Sequence, residues 1–209
     1  TVRKIYVNKM VDVTGVGYNS QGEFLEDGAT VVPQEDMSLD LLLKAGTLCS
    51  NATYDGTKVL GDTTEGALIV AAAKAGMQKE ELEKYPRIKE VPFTSERKRM
   101  STVHKSPEGK TFVFVKGAVE VILDRSGYLM KDGKKVKLSN KEKEVILQTN
   151  EEMANQALRV LAIAYKELPE SKPQYDEGEL ESNLIFVGLV GIIDPPREEA
   201  KEANELCRK

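Results

Sequence analysis

Residues 87–105 read RIKEVPFTSERKRMSTVHK, two β-prone runs joined by a basic, polar turn. Arg87 to Val91 and Ser101 to Lys105 have the composition of strands, and Pro92 to Met100 connects them. The turn places one aromatic that reads as exposed, Phe93, ahead of the cationic triplet Arg97-Lys98-Arg99. That combination suits a ligand with a flat ring and an anionic tail. Stacking on Phe93 is worth ~1–3 kcal/mol by analogy with base–aromatic stacking. Lysine supplies a flexible point charge, and arginine a planar fork for phosphate oxygens. A hairpin with a merely basic turn and a core phenylalanine remains open on this segment alone.

Outward from the hairpin, strands and helices interleave irregularly. Downstream, Thr111 to Val115 reads as a buried strand that ends at Lys116-Gly117-Ala118, with a helix from Val119 to Arg125. A lysine at the end of a buried strand suits the floor of a pocket. The alternative is a snorkelling lysine at a helix start, where a cation opposes the helix dipole. Tyr128 to Leu138 reads as a hairpin around Asp132-Gly133, and Ser139-Asn140-Lys141-Glu142 as a capping box opening a helix to about Gln156. Arg159 to Tyr165 and Leu184 to Ile193 read as central strands, with a polar surface loop, Pro169 to Glu181, between them.

Upstream, Asp62 is expected as the N-cap of a helix running to Gly76, with Glu65 as the reciprocal capping carboxylate. Ser38 is a candidate N-cap for the helix carrying Leu39, Leu42, Leu43 and Leu48. Val2 to Val7, Val11 to Val13 and Gly15 to Tyr18 read as strands, Ala52 to Leu60 as a hairpin at Asp55-Gly56, and Gln78 to Lys84 as a short helix. Several hairpins among helices predict an α+β fold, a mostly antiparallel twisted β-sheet flanked by helices.

Composition narrows the class. The 209 residues carry a net charge of −4, with 31% charged and 40% hydrophobic residues and no tryptophan. This is a globular composition, and the acidic balance argues against nucleic acid as a partner. No apolar run approaches a membrane span. Cys49 and Cys207 have no metal spacing and are expected as reduced thiols; His104 is expected to be structural. The start at Thr1 and the helical pattern at Lys209 suggest an excised piece, monomeric by default.

Familiar catalytic motifs fail. Gly109-Lys110-Thr111 resembles the end of a phosphate-binding loop, but His104 occupies the first glycine's place and the tripeptide lies in a hairpin turn. There is no GxGxxG, HExxH, EF-hand loop or nucleophile with an adjacent base. On residues alone, this is a binding module with an acidic cap, an aromatic and spaced cations.

Five segments occur in an order that resembles one family: Gly61-Asp62-Thr63-Thr64-Glu65, Pro92-Phe93 with Lys98-Arg99-Met100-Ser101, Lys116-Gly117-Ala118, Arg159-Val160-Leu161, and Asp194-Pro195-Pro196-Arg197. They are similar to the nucleotide-binding (N) domain of P-type cation-transporting ATPases. Phe186-Val187-Gly188-Leu189-Val190-Gly191 is closest to the calcium pumps. The resemblance implies ATP as ligand, with magnesium accompanying the nucleotide and no metal site in this piece. Phe93 would stack on adenine, and Glu65 would approach its amino group with Thr64 beside it. Lys98 and Lys116 would line the pocket, with Gly117 next to Lys116. Arg159 would reach the phosphates, and Leu161 would pack against the nucleotide. Some calcium pumps carry an arginine where Ser95 stands here, so the phosphate contacts fall to Arg159 alone or are shared with Arg97.

The resemblance also implies residues 1–193 as the N domain and 194–209 as a returning hinge with the start of the next domain's helix. The family's Asp-Lys-Thr-Gly-Thr and Gly-Asp-Gly-x-Asn-Asp motifs do not occur in the chain. ATP would be bound here without hydrolysis, and its γ-phosphate presented to an aspartate of a phosphorylation domain. The implied setting is a cytoplasmic domain of a membrane protein, with phosphorylation and actuator domains of the same parent chain as partners. A stand-alone ligand- or protein-binding module is the alternative.

Overall fold

The computed structural model describes residues 1–169 and 176–194. The chain opens with β1 (Val2–Tyr6) and β2 (Met10–Val13), then β3 (Phe24–Glu26) and β4 (Ala29–Val31). Helix α1 (Met37–Leu48) follows, capped by Asp36, whose carboxylate accepts from the N–H groups of Ser38 and Leu39, each at 3.0 Å. The expected cap at Ser38 is therefore displaced by two residues, and Ser38 is buried inside the first turn. Asp36 is also held by Lys9 at 2.9 Å, which fixes the better capping group in place.

The small hairpin of β5 (Thr53–Tyr54) and β6 (Val59–Leu60) leads into α2 (Thr63–Lys74). Asp62 caps α2 as expected, accepting from Thr64 N at 2.9 Å and Glu65 N at 3.0 Å. Glu65 does not return that bond; its carboxylate turns inward to other partners, described below. Gly76, at φ 76°, ends the helical segment.

Helix α3 (Lys79–Leu82) precedes β7 (Arg87–Val91), β8 (Arg99–Lys105) and β9 (Thr111–Gly117). Then come α4 (Val119–Asp124), β10 (Ser126–Lys131), β11 (Lys134–Lys137) and α5 (Asn140–Asn155), the last opened by the Ser139/Glu142 capping box. Strand β12 (Arg159–Leu168), helix α6 (Glu177–Leu180) and strand β13 (Leu184–Ile192) complete the described chain.

The main sheet runs β4-β3-β2-β1-β13-β12-β9-β8-β7. Its pairs are antiparallel except for β10, which lies parallel to β13 and carries β11. The expected α+β architecture is present. Every residue of β13 is buried, because helices cover both faces of the sheet there. On one face Leu39, Leu42 and Leu43 of α1 and Leu68 and Ala71 of α2 pack on Ile5, Ile163, Val187 and Val190. On the other, Ile122, Ile146 and Met153 pack with Val115, Ala164, Phe186 and Leu189. The side chains of β13 thus feed two cores, and a register irregularity at Val187 puts Phe186 and Leu189 in one and Val187 and Val190 in the other.

Two expected elements differ. Gly15 to Tyr18 is not a strand: Gly15 and Gly17 take φ 88° and 63°, left-handed conformations that break the pleat. Side chains hold this segment instead, Arg3 bonding Gly15 O at 2.9 Å and Lys74 bonding Thr14 O at 2.7 Å. Of the expected surface loop Pro169 to Glu181, residues 170–175 lie outside the described residues; the rest is not all surface. Asp176 opens α6 with a capping box, Leu180 is buried and Glu181 is fully buried. Apart from Asp194, the expected hinge at 194–209 and Cys207 lie outside the described residues. Among the described residues no helix is long and apolar enough to cross a membrane.

Candidate functional site

Three strand ends and one helix start meet at a single cavity. Antiparallel register brings Met100 of β8 opposite Lys116 of β9, and Lys116 opposite Ile163 of β12. The first residues of β12 (Arg159, Val160 and Leu161) therefore share one edge with Lys116 and Gly117. The first turn of α2 supplies Thr64 and Glu65, and the β7–β8 connection supplies Phe93 and Lys98. Together these residues line a cavity of about 690 Å³.

At its floor lies Lys116, only 7% exposed. It is not a snorkelling lysine: its Nζ donates to Glu65 Oε1 at 2.6 Å and to Ser50 Oγ at 3.3 Å. The other oxygen of Glu65 accepts the backbone N–H groups of Asn51 (2.7 Å) and Ala52 (3.0 Å). One carboxylate thus ties α2 to β9 and to the segment after α1. Oε1 keeps unused acceptor capacity, because a carboxylate oxygen can take two donors.

Gly117 makes the close strand approach possible. A Cβ there would stand 2.5 Å from Lys98 O and 2.7 Å from Arg99 Cβ. Its neighbour Ala118 donates its N–H to Lys98 O at 3.0 Å, so the turn bearing Lys98 rests directly on the end of β9. Phe93 is 56% exposed and is therefore not a core phenylalanine. Arg159 Nη1 donates to Thr64 Oγ1 at 3.0 Å, carrying its charge across the mouth of α2.

Of the residues singled out from sequence, Thr64, Glu65, Phe93, Lys98, Lys116, Gly117, Arg159 and Leu161 line this cavity; Ser95 is exposed and does not. Arg97 does not line it either: its guanidinium is bound to Glu181 and to Pro92 O. Sequence reasoning did not assign Asn51 or Ala52, which follow α1 without any turn or charge signal, nor the apolar lining by Met100, Ala118 and Val160. His104 is structural as expected, its ring nitrogens against Tyr85 O (2.8 Å) and Leu48 O (3.2 Å).

In chemical terms the site offers an exposed ring, an anchored acceptor, cations at its floor, turn and mouth, and apolar lining between them. These are groups suited to holding a ligand with a flat ring and an anionic part.

Comparison with known proteins gives the family of the chain. The family model described as P-type ATPase, cytoplasmic domain N, matches residues 38–199. The chain is 45% identical over 170 residues to a calcium-transporting ATPase 1 of Bacillus cereus, covering 81% of this chain and 19% of the relative. It is 38% identical over 202 residues to a calcium-transporting ATPase of Bacillus subtilis, covering 94% and 23%. It is 36% identical over 195 residues to the human calcium-transporting ATPase type 2C member 1, covering 92% and 20%. The chain spans about a fifth of the length of these curated relatives.

Proposed function

Because the chain belongs to the family of P-type ATPase cytoplasmic N domains, we propose that its cavity binds ATP and holds it for phosphoryl transfer elsewhere in a longer protein. Adenine lies against Phe93, its amino group toward Glu65 with Thr64 beside it. Lys98 and Lys116 line the pocket, Leu161 packs against the nucleotide, and Arg159 reaches toward the phosphates. With Ser95 off the cavity and Arg97 held by Glu181, the phosphate contact falls to Arg159.

The observation that carries this reading is convergence: Glu65, Phe93, Lys98, Lys116 and Arg159 come from separate stretches of chain to one cavity. Its volume of about 690 Å³ is within the ~300–1,000 Å³ usual for small-molecule sites. The domain contributes position rather than chemistry, presenting the γ-phosphate to an aspartate on a phosphorylation domain. Magnesium accompanies the nucleotide on its phosphates, as in phosphoryl transfer generally. The relatives' printed names point to calcium as the transported ion of the longer protein. Phosphorylation and actuator domains of the same longer chain are the proposed neighbours of residues 1–193.

Calorimetric titration with ATP, ADP and adenosine tests the reading. The expected dissociation constant for ATP is roughly 0.1–10 mM, since 1 mM corresponds to about −4.1 kcal/mol. A sub-micromolar value, or phosphate release above background by the pure chain, would contradict a domain that only positions its ligand.

A further inference from the structure

One fully buried carboxylate lies off the cavity yet holds its exposed wall. Glu181 is 0% exposed. Its Oε1 accepts from Ser101 Oγ at 2.9 Å and from Arg97 Nη2, and its Oε2 accepts from Arg99 Nε at 2.5 Å. The same two guanidinium groups also grip backbone next to two cavity residues. Arg97 Nη1 donates at 2.9 Å to the carbonyl of Pro92, which precedes Phe93. Arg99 Nη1 donates at 2.9 Å to the carbonyl of Arg97, which precedes Lys98.

The turn needs such an anchor. Lys98 has φ 51°, a left-handed conformation sparsely populated by residues other than glycine and kept only where the surroundings enforce it. Its N–H donates to Thr94 O at 2.8 Å. Glu181 itself is firmly mounted. Lys166 Nζ donates to Ser182 O at 2.8 Å and to Glu179 O, Arg125 Nη1 donates to Glu181 O at 3.3 Å, and Leu180 beside it is 1% exposed. Burial pushes the Glu181 carboxyl up, but hydrogen bonds from Arg97, Ser101 and Arg99 outweigh it and hold the group below the usual carboxylate range. It is therefore ionised at neutral pH.

We infer that Glu181 is a positioning residue of the nucleotide cavity: through Arg97 and Arg99 it fixes the turn that presents Phe93 and Lys98. This rests on the ATP-binding reading above. A merely structural role would lower stability and leave the affinity of the folded protein unchanged, whereas a positioning role changes affinity in protein that is still folded.

The test is Glu181→Gln, which keeps the side chain's shape but turns a donor toward the guanidinium groups. ATP is titrated at a temperature where the amide spectrum shows a folded chain, beside Ile146→Val as a control that weakens the opposite core. The expected dissociation constant rises about 5–20-fold for Glu181→Gln, as for coupled neighbours, and stays unchanged for Ile146→Val. Amide shifts of the free variant should centre on residues 92–99. If Glu181→Gln does not fold, Arg97→Met decides, since it keeps the Glu181 contacts to Arg99 and Ser101; a loss of about threefold or more is expected. Unchanged ATP affinity in the folded variant overturns the inference, as does an equal loss in Ile146→Val. Failure of the unmutated protein to bind ATP overturns the functional reading instead, and this inference with it.

Discussion

Lys116 Nζ lies 2.6 Å from Glu65 Oε1, joining the end of β9 to the first turn of α2, with both side chains about nine-tenths buried. The pair accounts for two features of the site at once. It lets a lysine lie at the floor of a cavity, and it fixes a carboxylate in the cavity lining.

Lys116→Met should destabilise the domain by about 1–3 kcal/mol. The cost stays below the ~3–5 kcal/mol of an abandoned buried charge, because Glu65 keeps the N–H groups of Asn51 and Ala52. Urea denaturation of Lys116→Met, Glu65→Gln and the double variant gives the coupling, expected between about 0.5 and 3 kcal/mol. Strict additivity would mean that the contact contributes nothing.

Gly117→Ala should be more damaging than its single methyl group suggests. The new Cβ would lie 2.5 Å from Lys98 O and 2.9 Å from Arg99 Cα, so backbone must move on one strand or the other. We expect a loss of about 1–3 kcal/mol, as for other overpacked sites, with displaced amide signals at Lys98 and Ala118. An unfolding midpoint equal to that of the parent would refute the close approach.

Phe93→Ala separates binding from folding. With the ring 56% exposed, its removal should change stability by no more than about 0.5 kcal/mol. ATP affinity should fall by about 1–3 kcal/mol, the range for lost base stacking. Thermal melts and titrations on the same samples check both halves. A large fall in melting temperature with unchanged affinity would return Phe93 to the core reading.

Asp55 gives a pH signature at the β5–β6 hairpin near the cavity. Hydrogen bonds from Lys58 N, Thr57 N and Thr57 Oγ1, each at 2.8 Å, lower its pKa from 3.8 to about 2. A folded pKa below the ordinary value means that its stabilising contribution is complete above pH 3.8 and is lost as pH falls through about 2. A carboxyl NMR titration should show the low midpoint, and Asp55→Asn should remove the acid-dependent change in the hairpin's amide shifts. A midpoint near 3.8 would contradict these bonds.

Much of this was legible because local chemistry and fold agree. The capping box at Ser139, the turns at Asp55-Gly56 and Asp132-Gly133, and the run from Thr111 to Gly117 each carry their own instruction in sequence. The cavity residues were readable because ring, acid and cations stand in recognisable order. What was not readable depends on distant partners. Glu65 was expected to cap its own helix, the local choice, but Lys116 and two backbone N–H groups offer it better partners across the fold. Glu181 follows a polar, proline-containing stretch, and nothing nearby in sequence signals the two arginines more than 80 positions away that bury it. Asp36 took the cap from Ser38 because Lys9 holds it there.

The most direct test is an amide-shift titration of this chain with ATP, with and without magnesium. The account predicts saturable shifts centred on Glu65, Phe93, Lys98, Lys116, Gly117 and Arg159, weakened in Lys116→Ala and retained in part with adenosine. No shifts at several millimolar ATP, or shifts centred away from this cavity, would contradict it.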